Sequence, residues 1–360
     1  MPAGFFSIPV SKVKRETKDA VSITFNVPPL MAPQYTYKAG QYLTFSVVIN
    51  GEEVRRSYSM CSSPVTGEAI TIAVKEVEGG KMSTHLNASV KEGDVIDILP
   101  PMGKFILDPN PAANNNYMLF GGGSGITPLV SIVKTALKRE PNSKCYLVYA
   151  NRDEDSVIFK SELDALEAAH ENFKVIYSYD TPSADWSGLS GFLTPENISE
   201  LARQELGLNY PMAKYYTCGP APMMDVVVKG LQSIGVRDDS INTEYFTAKV
   251  KEENVESAES GAANYSDEVI ERTISVEVYG DKKDIKVKPT ETILIAAQNA
   301  GMDPPYSCTV GVCTTCRARL KSGRASMEER EGLSDSEIEG GYILTCQAHP
   351  LSDDVDLVFE

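Results

Sequence analysis

Four of the seven cysteines lie near the end of the 360-residue chain, and their spacing constrains the fold more than any other sequence feature. Cys308, Cys313 and Cys316 follow a C-x4-C-x2-C pattern, and Cys346 lies further along the chain. In a reducing compartment such a cluster indicates a metal centre before disulfides. The spacing predicts a [2Fe–2S] centre, in which four thiolates converge on two irons and a single loop supplies three of them.

A structural zinc site is the alternative for these cysteines. Four-cysteine zinc modules usually present two C-x2-C pairs, and only one such pair, Cys313 and Cys316, occurs here. The pattern therefore favours iron, with zinc and unligated thiols as the remaining interpretations. We expect Cys61 and Cys145 to be small, half-buried thiols without chemistry.

Residues 1–110 have the pattern of a β-rich domain. Alternating apolar and polar runs at 22–27, 41–49 and 70–77 are separated by Gly, Pro and Asn turn signals. Several short strands at this spacing predict a closed antiparallel β-barrel.

Strands and helices alternate over residues 111–246. This pattern predicts βαβ units and a parallel sheet, with ligands at the carboxyl ends of the strands. The predicted strands lie at 117–120, 145–150, 174–179, 214–218 and 241–246.

The small, polar and acidic residues 247–268 have the composition of a linker. Residues 269–360 restart with two strand patterns and a helix before the cysteine loop. This last segment resembles the plant-type ferredoxin family, through PYSCTVGVCTTCRARLKSG, YILTCQAHP and VDLVFE. The resemblance implies a β-grasp fold that carries one electron at a time on a cluster near the surface.

Two motifs stand out in the first domain: RSYSM at 56–60 lies between two predicted strands, and GGKMSTHL at 79–86 follows the next strand. An arginine fork suits a diphosphate, and a tyrosine ring could lie flat against another aromatic ring. Together the motifs resemble the FAD site of the ferredoxin–NADP reductase superfamily, in which the second motif is a glycine-rich turn. The resemblance implies that the flavin-site residues are Arg56, Tyr58, Ser59, Lys81, Met82, Ser83, Thr84 and Phe246.

Two further motifs open helices after predicted strands, GGGSGITP at 121–128 and CGPAPMM at 218–224. Glycines and a helix N-terminus let the backbone approach a pyrophosphate. In the same superfamily these motifs bind the dinucleotide, and the cysteine lies beside the hydride-donating carbon. The implied site residues are Gly121, Gly122, Gly123, Gly125, Thr127, Pro128, Cys218, Gly219, Pro220 and Met223. By the same resemblance Ser59, Cys218 and Glu244 surround the reacting atoms.

Arg152 follows the second strand of this domain, where ribose discrimination is expected. A cation there favours NADPH over NADH, although the neighbouring acidic residues 153–155 oppose a phosphate. His85, His170 and His349 are expected to be structural or exposed, because electron transfer needs no general base.

The formal charge of −16, from 50 acidic and 34 basic residues, argues against nucleic acid as a partner. No apolar run reaches the length of a membrane span, so we expect a cytoplasmic protein without a membrane partner.

The domain order resembles that of the reductase components of multicomponent oxygenases, including those of the phenylacetyl-CoA epoxidase type. The resemblance implies a multidomain NAD(P)H-dependent oxidoreductase that passes electrons from FAD through a [2Fe–2S] cluster to a partner protein. A diiron oxygenase, a ferredoxin, a flavodoxin or a haem protein stays open as the acceptor. A redox-sensing module and a zinc-stabilised interaction protein are the alternatives from other classes.

Overall fold

The computed structural model describes residues 4–246, 269–330 and 332–359. The chain divides into two compact units, one up to Phe246 and the other from Thr247 onward. The predicted linker at 247–268 lies outside the described residues. Within the described ranges no helix is both long and apolar enough to cross a membrane.

The first unit begins with a six-stranded antiparallel sheet and one short helix. Its elements are β1 (Phe6–Thr17), β2 (Ala20–Phe25), β3 (Tyr42–Ile49), β4 (Glu52–Ser59), β5 (Thr71–Lys75), α1 (Lys81–Ala88) and β6 (Val95–Ile98). The strands lie in the order β4-β3-β6-β1-β2-β5. Asn50 and Gly51 both have positive φ and form the two-residue turn between β3 and β4. A bridge between Met60 and Ile72 joins the two edge strands, as the predicted barrel requires.

Two local predictions in this domain differ from the structure. RSYSM is predicted between strands, but its first four residues form the end of β4, because they pair with residues 42–45 of β3. GGKMSTHL was expected to be a turn, but helix α1 starts at Lys81 after Gly80. The short helix buries Met82 and Leu86 against the barrel, which outweighs its weak helical pattern.

The same unit continues with a six-stranded parallel sheet. Its strands are β7 (Asn116–Gly122), β8 (Lys144–Asn151), β9 (Phe173–Tyr179), β10 (Leu189–Ser190), β11 (Lys214–Gly219) and β12 (Ile241–Tyr245). Its helices are α2 (Ile126–Arg139), α3 (Lys160–Ala169), α4 (Pro195–Leu206) and α5 (Ala221–Ser233). The strand order is β10-β9-β8-β7-β11-β12. This order reverses between β7 and β11, which is where such sheets bind ligands.

Helix α2 connects the barrel to the parallel sheet through polar contacts. The Ser131 hydroxyl donates to the Ser62 carbonyl (2.7 Å), in the segment that follows β4. The buried Lys134 ammonium contacts Glu68 of the barrel at 3.0 Å and Glu162 of α3 at 2.5 Å. These contacts hold the segment that follows β4 against the middle of α2.

The second unit contains a five-stranded sheet, a two-stranded sheet and two short helices. Its elements are β13 (Arg272–Val278), β14 (Asp281–Val287), α6 (Ile293–Asn299), β15 (Arg317–Ser322), β16 (Ala325–Met327), α7 (Asp335–Glu339), β17 (Tyr342–Leu344), β18 (Ala348–Pro350) and β19 (Asp356–Phe359). The larger sheet has the order β14-β13-β19-β15-β17, and β16 pairs with β18. Apolar residues of the larger sheet and of α6 form the core. The cysteine loop lies between α6 and β15.

Candidate functional site

Three residues of the predicted catalytic set come together at the switch point of the parallel sheet. Cys218 of β11 is in register with Gly121 of β7 on one side and with Glu244 of β12 on the other. Ser59, at the end of β4, is only 3% exposed, and its hydroxyl lies 3.3 Å from Oε2 of Glu244. The barrel and the parallel sheet therefore share one polar site.

Both titratable groups of this site are neutral around pH 7. Desolvation raises the pKa of the Glu244 carboxyl to about 8, against a smaller opposing effect of the Ser59 hydroxyl. Burial, with a smaller contribution from Glu244, raises the pKa of the Cys218 thiol well above its usual value. The site thus presents a protonated carboxyl and a thiol, which avoids a desolvated charge.

The glycine turn after β7 packs so closely on β11 that side chains are excluded. A Cβ on Gly125 would lie 2.0 Å from the Cys218 carbonyl oxygen. A Cβ on Gly122 would lie 2.7 Å from the Pro220 ring and 2.8 Å from the Met223 sulfur. Helices α2 and α5 both begin at this edge, so two sets of backbone N–H groups face it. This cradle fits a pyrophosphate.

The other residues predicted for the nucleotide site support the turn. Gly123 has a φ of +52° and its carbonyl accepts a bond from the Tyr149 hydroxyl at 2.9 Å. The Thr127 hydroxyl donates to the Ser124 carbonyl at 3.1 Å. Thr127 and Pro128 are buried in the first turn of α2, so they shape the loop from behind.

The residues predicted for the flavin site lie on β4 and around the start of α1. Arg56 is exposed and donates to the Arg55 carbonyl at 2.7 Å, and Tyr58 is half-buried with its ring 5.7 Å from that of Phe45. The Met82 side chain is in the barrel core, so this residue can reach a ligand only through its backbone.

Polar groups at the start of α1 already bond to neighbouring residues. The Ser83 hydroxyl accepts from the Val77 N–H (3.1 Å) and donates to the Gly80 carbonyl (3.2 Å), which closes the turn. Lys81 contacts Glu52 at 2.6 Å, and the Thr84 hydroxyl donates to Glu76 at 3.0 Å. Arg56 and the exposed N-terminus of α1 therefore fit a flavin diphosphate, while Ser83 holds the loop in shape. Phe246 follows β12 and is 40% exposed.

Unpartnered buried polar groups lie at the ends of β8 and β9, which are in register at Asn151 and Tyr179. Among the described residues, neither the Asn151 amide nor the Tyr179 hydroxyl has a hydrogen-bond partner. Arg152 comes next, and its Nε contacts Oδ2 of Asp153 at 2.9 Å. Such groups fit a polar ligand at this edge.

Lys75, at the end of β5, was not identified from the sequence. A Cβ on Gly123 would lie 3.8 Å from the Lys75 ammonium nitrogen, so this cation points at the glycine turn from the barrel side. It also lies 3.9 Å from Asp19. The sequence shows only that Lys75 lies between the two flavin motifs. The fold places it beside the glycine turn, where a pyrophosphate would bind.

The four cysteines of the second unit form two pairs. The Cys313 thiol, with nearby backbone N–H groups, lowers the pKa of Cys308 to about 5, and the Cys316 thiol lowers the pKa of Cys346. Val310 and Cys313 direct backbone N–H groups at Sγ of Cys308, at 3.5 and 3.4 Å. Two thiols per iron is the ligand count of a [2Fe–2S] cluster, so the pairs fit that group.

The pairs do not form a single four-ligand shell. Within the described ranges, no three Cys, His or acidic side chains converge as one metal ion requires. Gly311 has a φ of +79°, and a Cβ there would lie 2.8 Å from Glu329. Glycine is therefore required at the tightest point of the loop.

Comparison with known protein families assigns each part of the chain. The oxidoreductase FAD-binding domain matches residues 7–106, the oxidoreductase NAD-binding domain residues 119–229, and the 2Fe-2S iron-sulfur cluster binding domain residues 276–351. The predicted FAD, NAD(P)H and [2Fe–2S] cofactors are thereby confirmed.

Relatives match over nearly the whole length. One subunit of the 1,2-phenylacetyl-CoA epoxidase of Escherichia coli is 34% identical, over 99% of this chain and 98% of the relative. The ferredoxin reductase component of the Rhodococcus rhodochrous 3-ketosteroid-9-alpha-monooxygenase is 33% identical, over 97% of this chain and 95% of the relative. The solved structure of phthalate dioxygenase reductase has the same fold, with a TM-score of 0.61 at 24% identity over 99% of this chain and 98% of that one.

The two enzyme components are named as parts of multicomponent oxygenases. Their similarity extends across the barrel, the parallel sheet and the cysteine domain, in the same order as in this chain. The chain therefore belongs to the family of NAD(P)H-dependent, FAD- and [2Fe–2S]-containing oxidoreductases that includes the reductase components of multicomponent oxygenases.

Proposed function

We propose that this chain takes hydride from NADPH and delivers single electrons to an oxygenase of the phenylacetyl-CoA epoxidase type. The observation that carries the proposal is the meeting of Ser59, from the barrel, with Glu244 beside Cys218, from the parallel sheet. A flavin held by the barrel and a nicotinamide held by the sheet would face each other at that point. FAD, when bound, accepts an electron pair and releases it one electron at a time.

The residues around this point position the two rings and exclude water. The buried Cys218 side chain would exclude water beside a bound nicotinamide, and the glycine turn at 121–125 would hold the pyrophosphate at the N-terminus of α2. The Ser59 hydroxyl donates to Glu244 in the structure and would turn to a flavin ring nitrogen when the ring binds. Glu244, with its pKa of about 8, keeps its proton on the carboxyl below that pH. Their contribution is orientation and a neutral, low-dielectric environment.

Binding roles follow from the same placement. The proposed flavin site consists of Arg56, Tyr58, Ser59, Lys81, the backbone of Met82, Thr84 and Phe246, with Ser83 holding the loop in shape. The proposed dinucleotide site consists of Gly121, Gly122, Gly123, Gly125, Cys218, Gly219, Pro220 and Met223, with Thr127 and Pro128 supporting the turn from behind, Lys75 on the pyrophosphate and Arg152 on a 2′-phosphate. The proposed iron ligands are Cys308, Cys313, Cys316 and Cys346.

The proposed functional domains are residues 1–110 for FAD, 111–246 for the dinucleotide and 269–360 for the cluster, with 247–268 as a linker. We place the protein in the cytoplasm, because all seven cysteines are free thiols and the cluster ligands need reducing conditions.

Coupled turnover tests this function. The chain is mixed with NADPH and the oxygenase component of a phenylacetyl-CoA epoxidase, and epoxide formed per NADPH consumed is measured. The expected result is tight coupling that the Cys313→Ala variant abolishes, although that variant still reduces ferricyanide. Efficient reduction of a ferredoxin or a flavodoxin, with no electrons reaching the oxygenase, would contradict the proposed acceptor.

A further inference from the structure

Gln347 bonds the two ends of the cysteine cluster to each other. Its side-chain amide Nε2 donates to the Thr309 carbonyl and to the Cys346 carbonyl, each at 3.0 Å. Its own backbone is held on both sides, because its N–H donates to the Leu344 carbonyl (2.9 Å) and its carbonyl accepts from the Glu328 N–H (3.1 Å). The amide therefore has a fixed position between the loop and the distant fourth cysteine.

Thr309 has an unfavourable backbone conformation in the cysteine loop. Its φ is +59°, and a β-branched residue in the left-handed region is strained. Its hydroxyl donates to the Cys308 carbonyl at 2.7 Å. Such a conformation persists only where surrounding contacts hold it in place.

One peptide unit links Gln347 to a cluster sulfur. The carbonyl that Gln347 binds belongs to the peptide between Thr309 and Val310, and the N–H of this peptide lies 3.5 Å from Sγ of Cys308. In a trans peptide the C=O and N–H point in opposite directions. Holding the carbonyl on one side consequently aims the N–H at the sulfur on the other.

The loop leaves room for this arrangement. A Cβ on Gly311 would lie 3.1 Å from Cγ of Gln347, so glycine at 311 allows the glutamine stem to pass. Gln347 thereby acts on Cys308 through the Thr309–Val310 peptide, and on Cys346 as its neighbour in the chain. These are one cysteine from each of the two pairs.

We propose that Gln347 is a positioning residue for the iron–sulfur cluster, whose amide holds the strained Thr309–Val310 peptide so that its N–H faces the Cys308 thiolate. An N–H directed at a cluster sulfur stabilises the more negative, reduced state and so raises the reduction potential. It also holds the loop closed around the irons. The proposal rests on the cluster assigned to this site.

The test compares Gln347→Met, which keeps the side-chain length but removes the donor, with Gln298→Met on α6 as a matched control. Cluster loss to an iron chelator is followed by absorbance, and the reduction potential by an EPR-monitored titration. We expect Q347M to lose its cluster about tenfold faster and to have a lower potential. Q298M and the unaltered protein should agree with each other in both readouts, and NADPH-to-ferricyanide rates should be the same in all three.

Thr309→Gly provides the second arm, because glycine adopts a positive φ without strain. In the T309G background, the Q347M change should alter cluster loss by much less than in the parent, and T309G should restore iron loading if Q347M alone takes up none. The proposal would be overturned if Q347M speeded cluster loss equally in the parent and T309G backgrounds, or if T309G failed to restore iron loading to Q347M. It would also be overturned if Q347M matched Q298M in both cluster loss and reduction potential. Absence of iron from the unaltered, reconstituted protein would instead contradict the proposed function.

Discussion

The Ser59 hydroxyl donates a 3.3 Å hydrogen bond to Oε2 of Glu244, although the two residues are 185 positions apart in sequence. Ser59 ends the barrel strand that carries the flavin motif, and Glu244 neighbours Cys218 in the parallel sheet. The bond therefore joins the two halves of the proposed hydride-transfer site.

Replacing Glu244 with Gln, which keeps a neutral polar group at this position, should leave flavin reduction by NADPH close to the parent rate at low pH and remove its dependence on pH near 8. In the parent, ionisation above a pKa of about 8 would place a charge beside the nicotinamide, so the rate should fall as pH rises through that value. Stopped-flow flavin bleaching between about pH 6 and 9.5 measures both effects. If the rate of flavin reduction in E244Q still fell as the pH rose through about 8, the ionisation would belong to another group.

The same carboxyl makes stability depend on pH. Its native pKa of about 8 exceeds the usual 4.5, so between these values the folded protein retains a proton that the unfolded chain has released. Stability should therefore fall as pH rises through this window and become independent of this group above it. The melting temperature of the parent should drop more than that of E244Q between about pH 5 and 9. Glu200→Gln, an exposed change on α4, should follow the parent, and parallel curves for E244Q would refute the desolvation of the Glu244 carboxyl.

Gly125→Ala should raise the KM for NADPH more than about tenfold, since the added Cβ would lie 2.0 Å from the Cys218 carbonyl and push the turn away from the pyrophosphate. Ser124→Ala, in the same turn, adds no atoms and should keep the parent fold. Isothermal titration with NADP⁺ gives the affinities directly. Equal affinity for G125A and the parent would remove this turn from the binding site.

Arg152→Ala should lower kcat/KM for NADPH by about 10- to 100-fold and leave NADH nearly unaffected, because only NADPH carries the 2′-phosphate. Arg237 is the matched control: it is exposed and pairs with Asp239, as Arg152 pairs with Asp153. Arg237→Ala should change neither donor. A parallel loss with both donors in R152A would show that Arg152 supports the fold and does not select the cofactor.

Lys134→Met should destabilise the first unit by about 1–3 kcal/mol, because it removes a buried cation that pairs with the partly exposed Glu68 and Glu162. Lys38→Met removes an exposed pair with Asp108 and should cost less than about 1 kcal/mol. Thermal unfolding of the flavin-loaded proteins compares the two variants. Similar melting temperatures for K134M and K38M would mean that α2 is not anchored to the barrel through Lys134.

The sequence predicted most of the parallel sheet because its strands are short apolar runs separated by helical patterns. The predicted strand at 145–150 is β8 (Lys144–Asn151), and the predicted strand at 174–179 is β9 (Phe173–Tyr179). A strand of a parallel sheet is buried on both faces, so it appears in the sequence as a continuous apolar run that is easy to recognise. Helix α1 was missed because its pattern is weakly amphipathic and its stability comes from packing on the barrel.

Site residues were predictable where a motif fixes the backbone, as at Gly125, and not where the contact depends on folding. Lys75 reaches the glycine turn only because the barrel lies against the parallel sheet. Gln347 likewise contacts Thr309 from 38 positions away, and no local pattern encodes that distance. Tertiary contacts of this kind are what the structure adds.

Anaerobic titration of the reconstituted protein with NADPH tests the central claim most directly, with flavin followed by absorbance and the cluster by EPR. The account predicts about two irons and one FAD per chain, flavin bleaching on addition of NADPH, and appearance of the reduced-cluster signal within the same titration. A protein whose flavin is reduced while its cluster stays oxidised, or one that binds neither FAD nor iron, would contradict it.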